Sequence, residues 1–321
     1  MAALSDAYAP EVVDLRDLRA EDLEPVLIEE GFTWRSLLSW DFTPSAELVR
    51  RFVNIQALNG YALMVGRRIV GYGYYVCEDR KALLGDLYVL RDFSSAENED
   101  RLLAAMLKVL LNTPYLQRVE AQLLMLRTAF DRALPFGKFA RVQPRVFMLA
   151  DLGSLADLRE SPAAALYSFT TWTEARHDES ARLIACAYDG HIDSTINDQY
   201  RSYAGAKRFL TNIVQYPGCG SFFEGASFTA EDATGKIVGL SLGSLIAPEV
   251  GHITQICVAP ELQGRTIGYE LMRRSLLAFS EVGCEKTSLT VTASNTGAIR
   301  LYQGMGFRAL RRFGSFVWEG F

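Results

Sequence analysis

The stretch that decides the fold is Cys257-Val258-Ala259-Pro260-Glu261-Leu262-Gln263-Gly264-Arg265-Thr266-Ile267-Gly268. It predicts an apolar strand, then a turn that contains two glycines, then the start of an amphipathic helix. Pro260 ends the strand, because proline has no N–H for the hydrogen bonds of a sheet. This order predicts an anion site, because several backbone N–H groups converge at the helix N-terminus and the helix dipole adds to them. A diphosphate is the natural ligand, and Arg265 adds a positive side chain.

The turn differs from two common phosphate-binding patterns. It lacks G-x-G-x-x-G, which excludes a dinucleotide fingerprint, and it lacks G-x-x-x-x-G-K-[ST], which excludes a P-loop. A second informative stretch, LTVTASNTGAIRLYQGMGF, covers residues 289–307. It predicts a strand, then Asn295, then a short helix and a Gly-Phe pair.

Together the two stretches resemble the GCN5-related N-acetyltransferase (GNAT) superfamily. The first signature, V-x-P-x-x-Q-x-x-G-x-G/A, matches except at its middle glycine, where this sequence has Thr266. The second signature, N-x-x-A-x-x-L-Y-x-x-x-G-F, matches completely from Asn295 to Phe307. We expect Thr266 to be sterically tolerable, because a position that begins a helix has a negative φ angle. The detailed resemblance covers residues 165–320.

The resemblance implies direct transfer of an acetyl group from acetyl-CoA to a primary amine of a small-molecule acceptor, without a metal. It implies that the pantetheine pairs with strand backbone like an added strand, and that the diphosphate lies at the turn. The donor-binding residues implied in this way are Ile256, Cys257, Val258, Gln263, Gly264, Arg265, Thr266, Ile267, Gly268 and Asn295.

Two catalytic residues follow from the same resemblance. Tyr302 stands at the family's acid position, where a phenol protonates the departing thiolate; the alternative is a tyrosine that only packs its helix. The family often has a Glu base on the fourth strand, six residues before the Val258 position, and this sequence has His252 there. Imidazole is a competent base, and we expect Thr254 to face the same side of the strand. The alternative is that water takes the proton.

Acceptor contacts are predicted in the polar segment AYDGHIDSTINDQY, which connects two predicted helices. In the family this connection overhangs the acceptor site. Asp189, His191, Asp193 and Tyr200 cluster in it, which suits recognition of a cationic amine. The alternative for each of these residues is a solvated polar loop.

A repeat of 169 residues relates the two halves of the chain. The shift pairs Leu87 with Ile256, Val89 with Val258, Ala129 with Ala298 and Gly137 with Gly306. The predicted order of strands and helices repeats as well, so we predict a duplicated domain.

The functional positions of the second half are lost in the first. The same shift puts Ser94–Glu99, which has two carboxylates and no glycine, on the diphosphate turn. It puts Leu83 on the base position, Leu126 on the Asn position and Ala133 on the Tyr position. We therefore predict that the first half is degenerate and binds no CoA, since carboxylates repel phosphates.

The predicted fold class is α+β: two tandem GNAT folds, each a mixed, mostly antiparallel central sheet flanked by helices. The predicted domains are residues 1–150 (degenerate), a polar linker at 151–164, and residues 165–321 (catalytic). The architecture resembles that of mycothiol synthases, which pair a poor N-terminal half with an active C-terminal half.

Composition excludes several function classes. The 321 residues are 49% apolar with a net charge of −5, which is typical of a globular protein and argues against a nucleic-acid partner. Three scattered His argue against a zinc site, and five Cys without paired spacing favour a reducing compartment. No signal-peptide or membrane-spanning pattern is present. We expect a cytoplasmic protein without membrane contact, as a monomer or homodimer.

A different class of function stays open at this point. Two GNAT-like domains would also suit a non-catalytic acyl-CoA-binding sensor or a scaffold. O-acylation and longer acyl donors are compatible with the same motifs.

Overall fold

The computed structural model describes residues 9–153, 158–216 and 218–321. The chain forms two compact units that do not follow each other simply along the sequence. Unit 1 contains residues up to 144 together with 313–321, and unit 2 contains residues 145–312. Each unit is described by itself below.

Unit 1 is a sheet with three helices. Its strands pair in the order β1-β2-β3-β4-β5-β13, antiparallel except for the parallel pair β4–β5. The elements are β1 (Glu11–Asp14), α1 (Ala20–Leu38), α2 (Thr43–Asn54), β2 (Gly60–Val65), β3 (Arg68–Glu78), β4 (Lys81–Val89), α3 (Ala96–Leu110), β5 (Arg118–Leu123) and the end of β13 (Arg308–Glu319).

Unit 2 is a second sheet with its own helices. Its strands pair in the order β6-β12-β11-β10-β9-β7, with β8 beside β10, and β11–β12 is the parallel pair. The elements are the end of β6 (Ala140–Asp151), α4 (Ala163–Leu166), β7 (Ser168–Thr171), α5 (His177–Ala187), α6 (Asp193–Ile196), α7 (Tyr203–Gln215), β8 (Ser221–Phe222), β9 (Phe228–Glu231), β10 (Ile237–Ala247), β11 (Val250–Val258), α8 (Ile267–Glu281), β12 (Lys286–Thr292) and α9 (Thr296–Gly304).

The predicted fold class is confirmed: each unit has a mixed, mostly antiparallel sheet flanked by helices. The helices lie on the sheets because their apolar faces are buried. In unit 2 the ring of Phe279 from α8 lies so close to the sheet that a Cβ at Gly243 or Gly251 would come within 2.7 Å of it. Glycines on the sheet therefore let α8 approach closely.

The 169-residue repeat is visible in the strands. β3 and β10, and β4 and β11, begin and end at positions 169 residues apart. Both fourth strands carry a β-bulge at matching places, with Gly85 as the extra residue in β4 and Thr254 in β11. The strand framework is thus the same in both units.

The predicted repeat of the last helix is wrong. Ala298 lies in α9, but Ala129 lies in an irregular segment of unit 1 between β5 and a short 3-10 helix at Gly137–Phe139. The side chain of Asn295 caps α9 by accepting a hydrogen bond from the Ala298 N–H (3.2 Å), and Leu126, at the matching position, has no capping group.

The predicted domain boundaries also differ from the structure. Residues 145–151 pair with β12 of unit 2, and residues 314–319 pair with β5 of unit 1. Of the predicted linker, residues 154–157 lie outside the described residues. The part that follows is held on α8, because Glu270 accepts a hydrogen bond from the Ser161 N–H (3.0 Å) and Arg273 donates to the Leu158 carbonyl (2.9 Å). Sequence composition could not show this packing.

Candidate functional site

The site begins where β11 and β12 separate. The two strands pair from Val250–Lys286 to Ile253–Leu289, and the pairing stops at the Thr254 bulge. Beyond that point β12 continues beside β6 up to Thr292 and β11 continues beside β10. A gap therefore opens between two neighbouring strands of one sheet.

The edge of β11 that faces the gap is not paired with another strand, although the carbonyls of Ile256 and Val258 accept long side-chain hydrogen bonds from Tyr188 Oη (3.4 Å) and Gln263 Nε2 (3.5 Å). The Ala259 N–H donates to the Val238 carbonyl of β10, so alternation along an antiparallel pair directs the N–H and C=O groups of Ile256 and Val258 away from β10. Both residues line the gap. This edge can pair with an extended ligand as a further strand would.

The N-terminus of α8 lies at the end of the same edge. The first hydrogen bond within the helix is from the Glu270 N–H to the Thr266 carbonyl. In the part of the chain that the structure describes, the N–H groups of residues 264–269 make no hydrogen bond to protein. A run of free N–H groups at a helix N-terminus binds anions.

Thr266 does not have the backbone conformation that we expected. Its φ angle is +61°, in the left-handed region, where a β-branched residue is an outlier. The family's glycine at this position therefore has a conformational reason, and threonine is strained here by about 1–2 kcal/mol. The expectation of a negative φ was wrong, because the turn continues up to the residue before the helix.

These elements enclose a cleft of about 680 Å³ in unit 2. It brings together most of the residues predicted for the site. Those that line it are His191, Asp193, Tyr200, Ile256, Cys257, Val258, Gln263, Gly264, Thr266, Ile267, Gly268, Asn295 and Tyr302. His252, Arg265 and Asp189 are not among the lining residues.

His252 is buried away from the cleft. Its Nδ1 lies 2.8 Å from Ser288 Oγ, and its ring stacks on Phe147. Burial lowers the pKa of His252 to about 4, which makes it a poor base near neutral pH. Since it lacks both access and basicity, the structure does not support His252 as the base. The bulge at Thr254 breaks the strict alternation of side chains, on which we had expected His252 and Thr254 to face the same side of β11.

Tyr302 lies in the cleft on α9 and is almost fully buried. Burial raises its pKa well above the usual range, and the negative charge of Asp193 adds to this. The phenol therefore keeps its proton and can act as a donor. Cys257 lines the cleft too, but burial raises the pKa of its thiol to about 12, so it stays protonated and unsuited to nucleophilic attack.

Asp193 is the one carboxylate among the described residues that line the cleft. Its Oδ1 accepts a hydrogen bond from Thr292 Oγ1 at the end of β12. Its backbone N–H donates to His191 Nδ1 (3.2 Å), and His191 Nε2 lies 3.4 Å from Asn295 Nδ2. Both ring nitrogens of His191 thus face protein groups, whereas none of the described residues donates a hydrogen bond to Asp193 Oδ2, which lies 3.9 Å from His191 Nδ1.

Two stacked tyrosines form one wall of the cleft. The rings of Tyr188 and Tyr200 are 4.2 Å apart between centroids. Gln255 joins them, since its Nε2 donates to Tyr188 Oη (3.0 Å) and its Oε1 accepts from Tyr200 Oη (3.2 Å). Burial raises the pKa of both phenols, so both stay neutral. The wall is rigid because its polar atoms bond one another.

The cleft is also lined by residues that sequence reasoning did not single out, among them Arg145, Tyr188 and Gln255. Tyr188 is the second residue of the polar segment quoted above, and Gln255 directly precedes the predicted donor-binding strand, so their positions carried a signal. Arg145 carried none, because it lies in the half of the sequence assigned to the other domain.

The residues around this cleft are similar in sequence to a known protein family. The sequence model of the Acetyltransferase (GNAT) family matches residues 194–307. The N-alpha-acetyltransferase MAK3 of Arabidopsis thaliana is 36% identical over 70 residues, which are 22% of this chain and 37% of that protein. The mycothiol acetyltransferase of Renibacterium salmoninarum is 32% identical over 92 residues, 27% of each chain. The matched segments thus span about a third of these relatives.

Solved structures extend the similarity to the whole chain. A GCN5-related N-acetyltransferase from Sphaerobacter thermophilus has a TM-score of 0.65 at 17% identity, covering 99% of this chain and 97% of that one. A tandem GNAT protein from the clavulanic acid biosynthesis pathway has a TM-score of 0.60 at 18% identity, covering 97% and 98%. The predicted resemblance to tandem GNAT proteins is confirmed at the level of the fold.

Two kinds of feature are absent from the described ranges of residues. No helix there is long and apolar enough to cross a membrane. No group of three or more His, Cys, Asp or Glu side chains in those ranges could hold a metal ion.

Proposed function

We propose that this chain, whose residues 194–307 match the GNAT family, transfers an acetyl group from acetyl-CoA to a primary amine of a small molecule. The chemistry lies within unit 2. The observation that carries the proposal is the cleft, which joins a free strand edge, a run of free N–H groups, a protonated phenol and one carboxylate.

The donor fits the first two of these features. The amides of pantetheine would pair with the backbone of Ile256 and Val258, replacing the long side-chain contacts to their carbonyls, and the diphosphate would accept hydrogen bonds from the N–H groups of residues 264–269. Gly268 leaves room for it, because even an added Cβ would only touch Val258 Cγ2 at 3.6 Å. Asn295 shapes the far side of the gap as the cap of α9.

The transfer needs two proton movements. We assign the first to Asp193, which takes a proton from the acceptor ammonium so that the neutral nitrogen can attack the thioester carbonyl. A backbone N–H on the β11 edge stabilises the negative charge that develops on the carbonyl oxygen. The carbon–nitrogen bond forms, the carbon–sulfur bond breaks, and Tyr302 gives its proton to the thiolate. Solvent then exchanges protons with both side chains.

We infer that unit 1 is degenerate and does not bind the donor. Its α3 begins with its own cap, because Ser95 Oγ accepts a hydrogen bond from the Asn98 N–H (3.1 Å), and Glu97 and Glu99 lie in the first turn. The Glu99 carboxylate is buried and accepts hydrogen bonds from the Arg127 N–H and Thr128 Oγ1, but Glu97 is exposed, so a phosphate would meet the Glu97 carboxylate there. The tandem architecture then serves one donor site per chain.

The test of the proposed function is donor consumption with a panel of primary amines. Thioester absorbance is the preferred readout, because Cys77, Cys186 and Cys219 are exposed and would react with thiol reagents. Calorimetry with acetyl-CoA gives affinity and stoichiometry. We expect amine-dependent loss of the thioester and one site per chain. Tight binding without turnover on any amine would instead indicate an acyl-CoA sensor.

The base is tested by a matched pair of variants. Asp193→Asn should lower kcat/KM by about 100-fold, because it keeps the shape of the side chain and removes the proton acceptor. His252→Gln should leave the pH profile of kcat/KM unchanged. The opposite pattern would restore His252 as the base.

A further inference from the structure

We propose that the acceptor carries an anionic group beside its amine, as an α-amino acid does, and that Arg145 binds this group. The inference rests on the proposed function, since it names the class of amine that the same cleft takes. It makes Arg145 a residue that determines substrate specificity.

Arg145 brings an uncompensated positive charge to the cleft. It lines the cleft from the middle of β6, and among the described lining residues it is the only Lys or Arg. The one hydrogen bond that its side chain makes to the described residues is a long contact of 3.4 Å from a terminal nitrogen to the Thr290 carbonyl. No carboxylate in the described ranges lies within 4.0 Å of it to form an ion pair.

One guanidinium nitrogen of Arg145 is also buried without a partner. The Nε atom is shielded from solvent and has no hydrogen-bond acceptor. A buried donor of a charged group that lacks a partner is costly, and native proteins seldom leave one. The planar guanidinium is suited to hold a carboxylate with two parallel hydrogen bonds, and Nε is one of the donors in that geometry.

Thr292 places this cation beside the proposed amine site. Thr292 is the register partner of Arg145 across the β12–β6 pair. The hydroxyl of the same Thr292 donates to Asp193 Oδ1. The guanidinium and the carboxylate therefore flank one residue, yet they do not form an ion pair with each other.

The positive charge of Arg145 and the negative charge of Asp193 are not paired with each other. They match a ligand that carries a negative group and a positive group side by side. An ammonium would lie against Asp193 and an adjacent carboxylate against Arg145. Of the other polar residues that line the cleft, Tyr188, Tyr200 and Gln255 bond one another, and both ring nitrogens of His191 face protein groups. Among the described lining residues Asp193 is the only carboxylate and Arg145 the only Lys or Arg, so these two decide the class of acceptor.

The experiment compares each common L-amino acid with its own α-carboxamide as acceptor for acetyl-CoA. The carboxamide lacks the negative charge and has a less basic amine, so the rates are compared across pH, and side-chain preferences cancel within a pair. For the preferred side chain we expect kcat/KM to be about 10- to 100-fold higher for the free acid, as for a charge-assisted hydrogen bond in a cleft. The difference should lie mainly in KM, because Arg145 binds the acceptor and moves no proton.

The variant Arg145→Gln then tests the residue. It should lower kcat/KM for the free acid to the level of the carboxamide and change the carboxamide by less than about 3-fold. Arg145→Lys should recover part of the preference, since it keeps the charge and loses the fork. Unchanged acetyl-CoA affinity by calorimetry would show that the variants are folded and that the donor site is intact.

The outcomes separate this inference from the proposed function. Turnover of carboxamides or simple amines at the same rate as free acids would overturn the inference and leave the acetyltransferase in place. An equal loss on both members of a pair in Arg145→Gln would overturn it too, by giving Arg145 a structural role. No turnover with any amine would overturn the proposed function and the inference with it.

Discussion

Unit 1 and unit 2 share a strand framework but differ in what lies beside the bulge in β4 and in β11. In unit 2 the extra residue, Thr254, lines an open cleft. In unit 1 the extra residue is Gly85, and the ring of Tyr74 covers it so closely that a Cβ there would come within 2.1 Å of the ring. The same backbone irregularity therefore frames a cleft in one unit and packs against a side chain in the other.

Buried carboxyl groups further distinguish unit 1. Asp86, directly after its bulge, is hydrogen-bonded to the buried Glu30 of α1. Glu30 accepts hydrogen bonds from Tyr72 Oη (2.7 Å) and Trp34 Nε1 (3.1 Å). Burial raises the pKa of both carboxyls, so the pair holds a proton. These groups serve the packing of unit 1, so the same strand framework holds a different set of buried groups in each unit.

The largest expected effect comes from giving α8 the acidic start of α3. Gly268→Asp should weaken acetyl-CoA binding by about 100-fold or more, because a carboxylate would stand where the diphosphate binds. The helix itself should remain stable, since Asp is favourable in a first turn. Calorimetry measures the affinity.

The matched control is Gly268→Ala, whose added Cβ meets only Val258 at 3.6 Å. It should bind acetyl-CoA within a few-fold of the natural protein. Equal loss in both variants would mean that space, and not charge, decides binding. A second bound acetyl-CoA in the natural protein would refute the degeneracy of unit 1.

The second prediction concerns α9, which unit 1 lacks. Tyr302→Phe should lower kcat by about 100-fold, as for loss of a general acid, with little change in KM. Because the pKa of Tyr302 is raised, the natural enzyme should show no alkaline loss of activity from this group below pH of about 10. Steady-state kinetics across pH measure both, and full turnover in the variant would remove Tyr302 from catalysis.

The third prediction concerns the carboxyl pair of unit 1. A raised folded pKa means that the stability from this pair is complete below the unfolded pKa of about 4 and declines as pH rises through the raised value. Glu30→Gln should reduce this decline, so that the variant gains about 1–2 kcal/mol on the natural protein between pH 5 and pH 8. Urea unfolding at several pH values measures it.

The control for that experiment is Glu47→Gln, which removes an exposed carboxylate from α2. Its unfolding midpoint should follow the natural protein at every pH. A parallel pH dependence in Glu30→Gln would show that the pair ionises without cost.

The smallest expected effect is at Thr266. Thr266→Gly should stabilise the protein by about 0.5–1 kcal/mol, because glycine adopts a φ of +61° without strain and loses some of that gain to backbone entropy. Thr266→Ala keeps a Cβ at positive φ and should gain nothing. Thermal unfolding of the two variants compares them, and destabilisation by glycine would mean that the threonine side chain makes a needed contact.

Much of the fold could be read from the sequence, because the two signatures and the repeat are local patterns. The strand β11, the glycine-containing turn and the short helix after Asn295 lie where residues 257–307 predict them. The structure does not support the prediction of His252 as the base, and the reason is physical. A bulge at Thr254 shifts the side-chain alternation along β11, and no spacing rule marks that residue as a bulge. The prediction of a negative φ angle at Thr266 was wrong for a similar reason, because this angle depends on how the turn enters α8.

The sequence by itself determined the family resemblance, the duplicated framework and the place of the anion-binding turn, because each follows from residue types at fixed spacing along a short segment. Only the tertiary structure decided what the cleft contains. Asp193, Tyr302 and Arg145 come from the short helix α6, from α9 and from β6, which are far apart in the chain, and they meet because β11 separates from β12 while β6 pairs with β12. Burial then decided which side chains suit the proposed proton transfers. It lowers the pKa of His252, which lies outside the cleft, and it raises the pKa of Tyr302, which therefore keeps its proton.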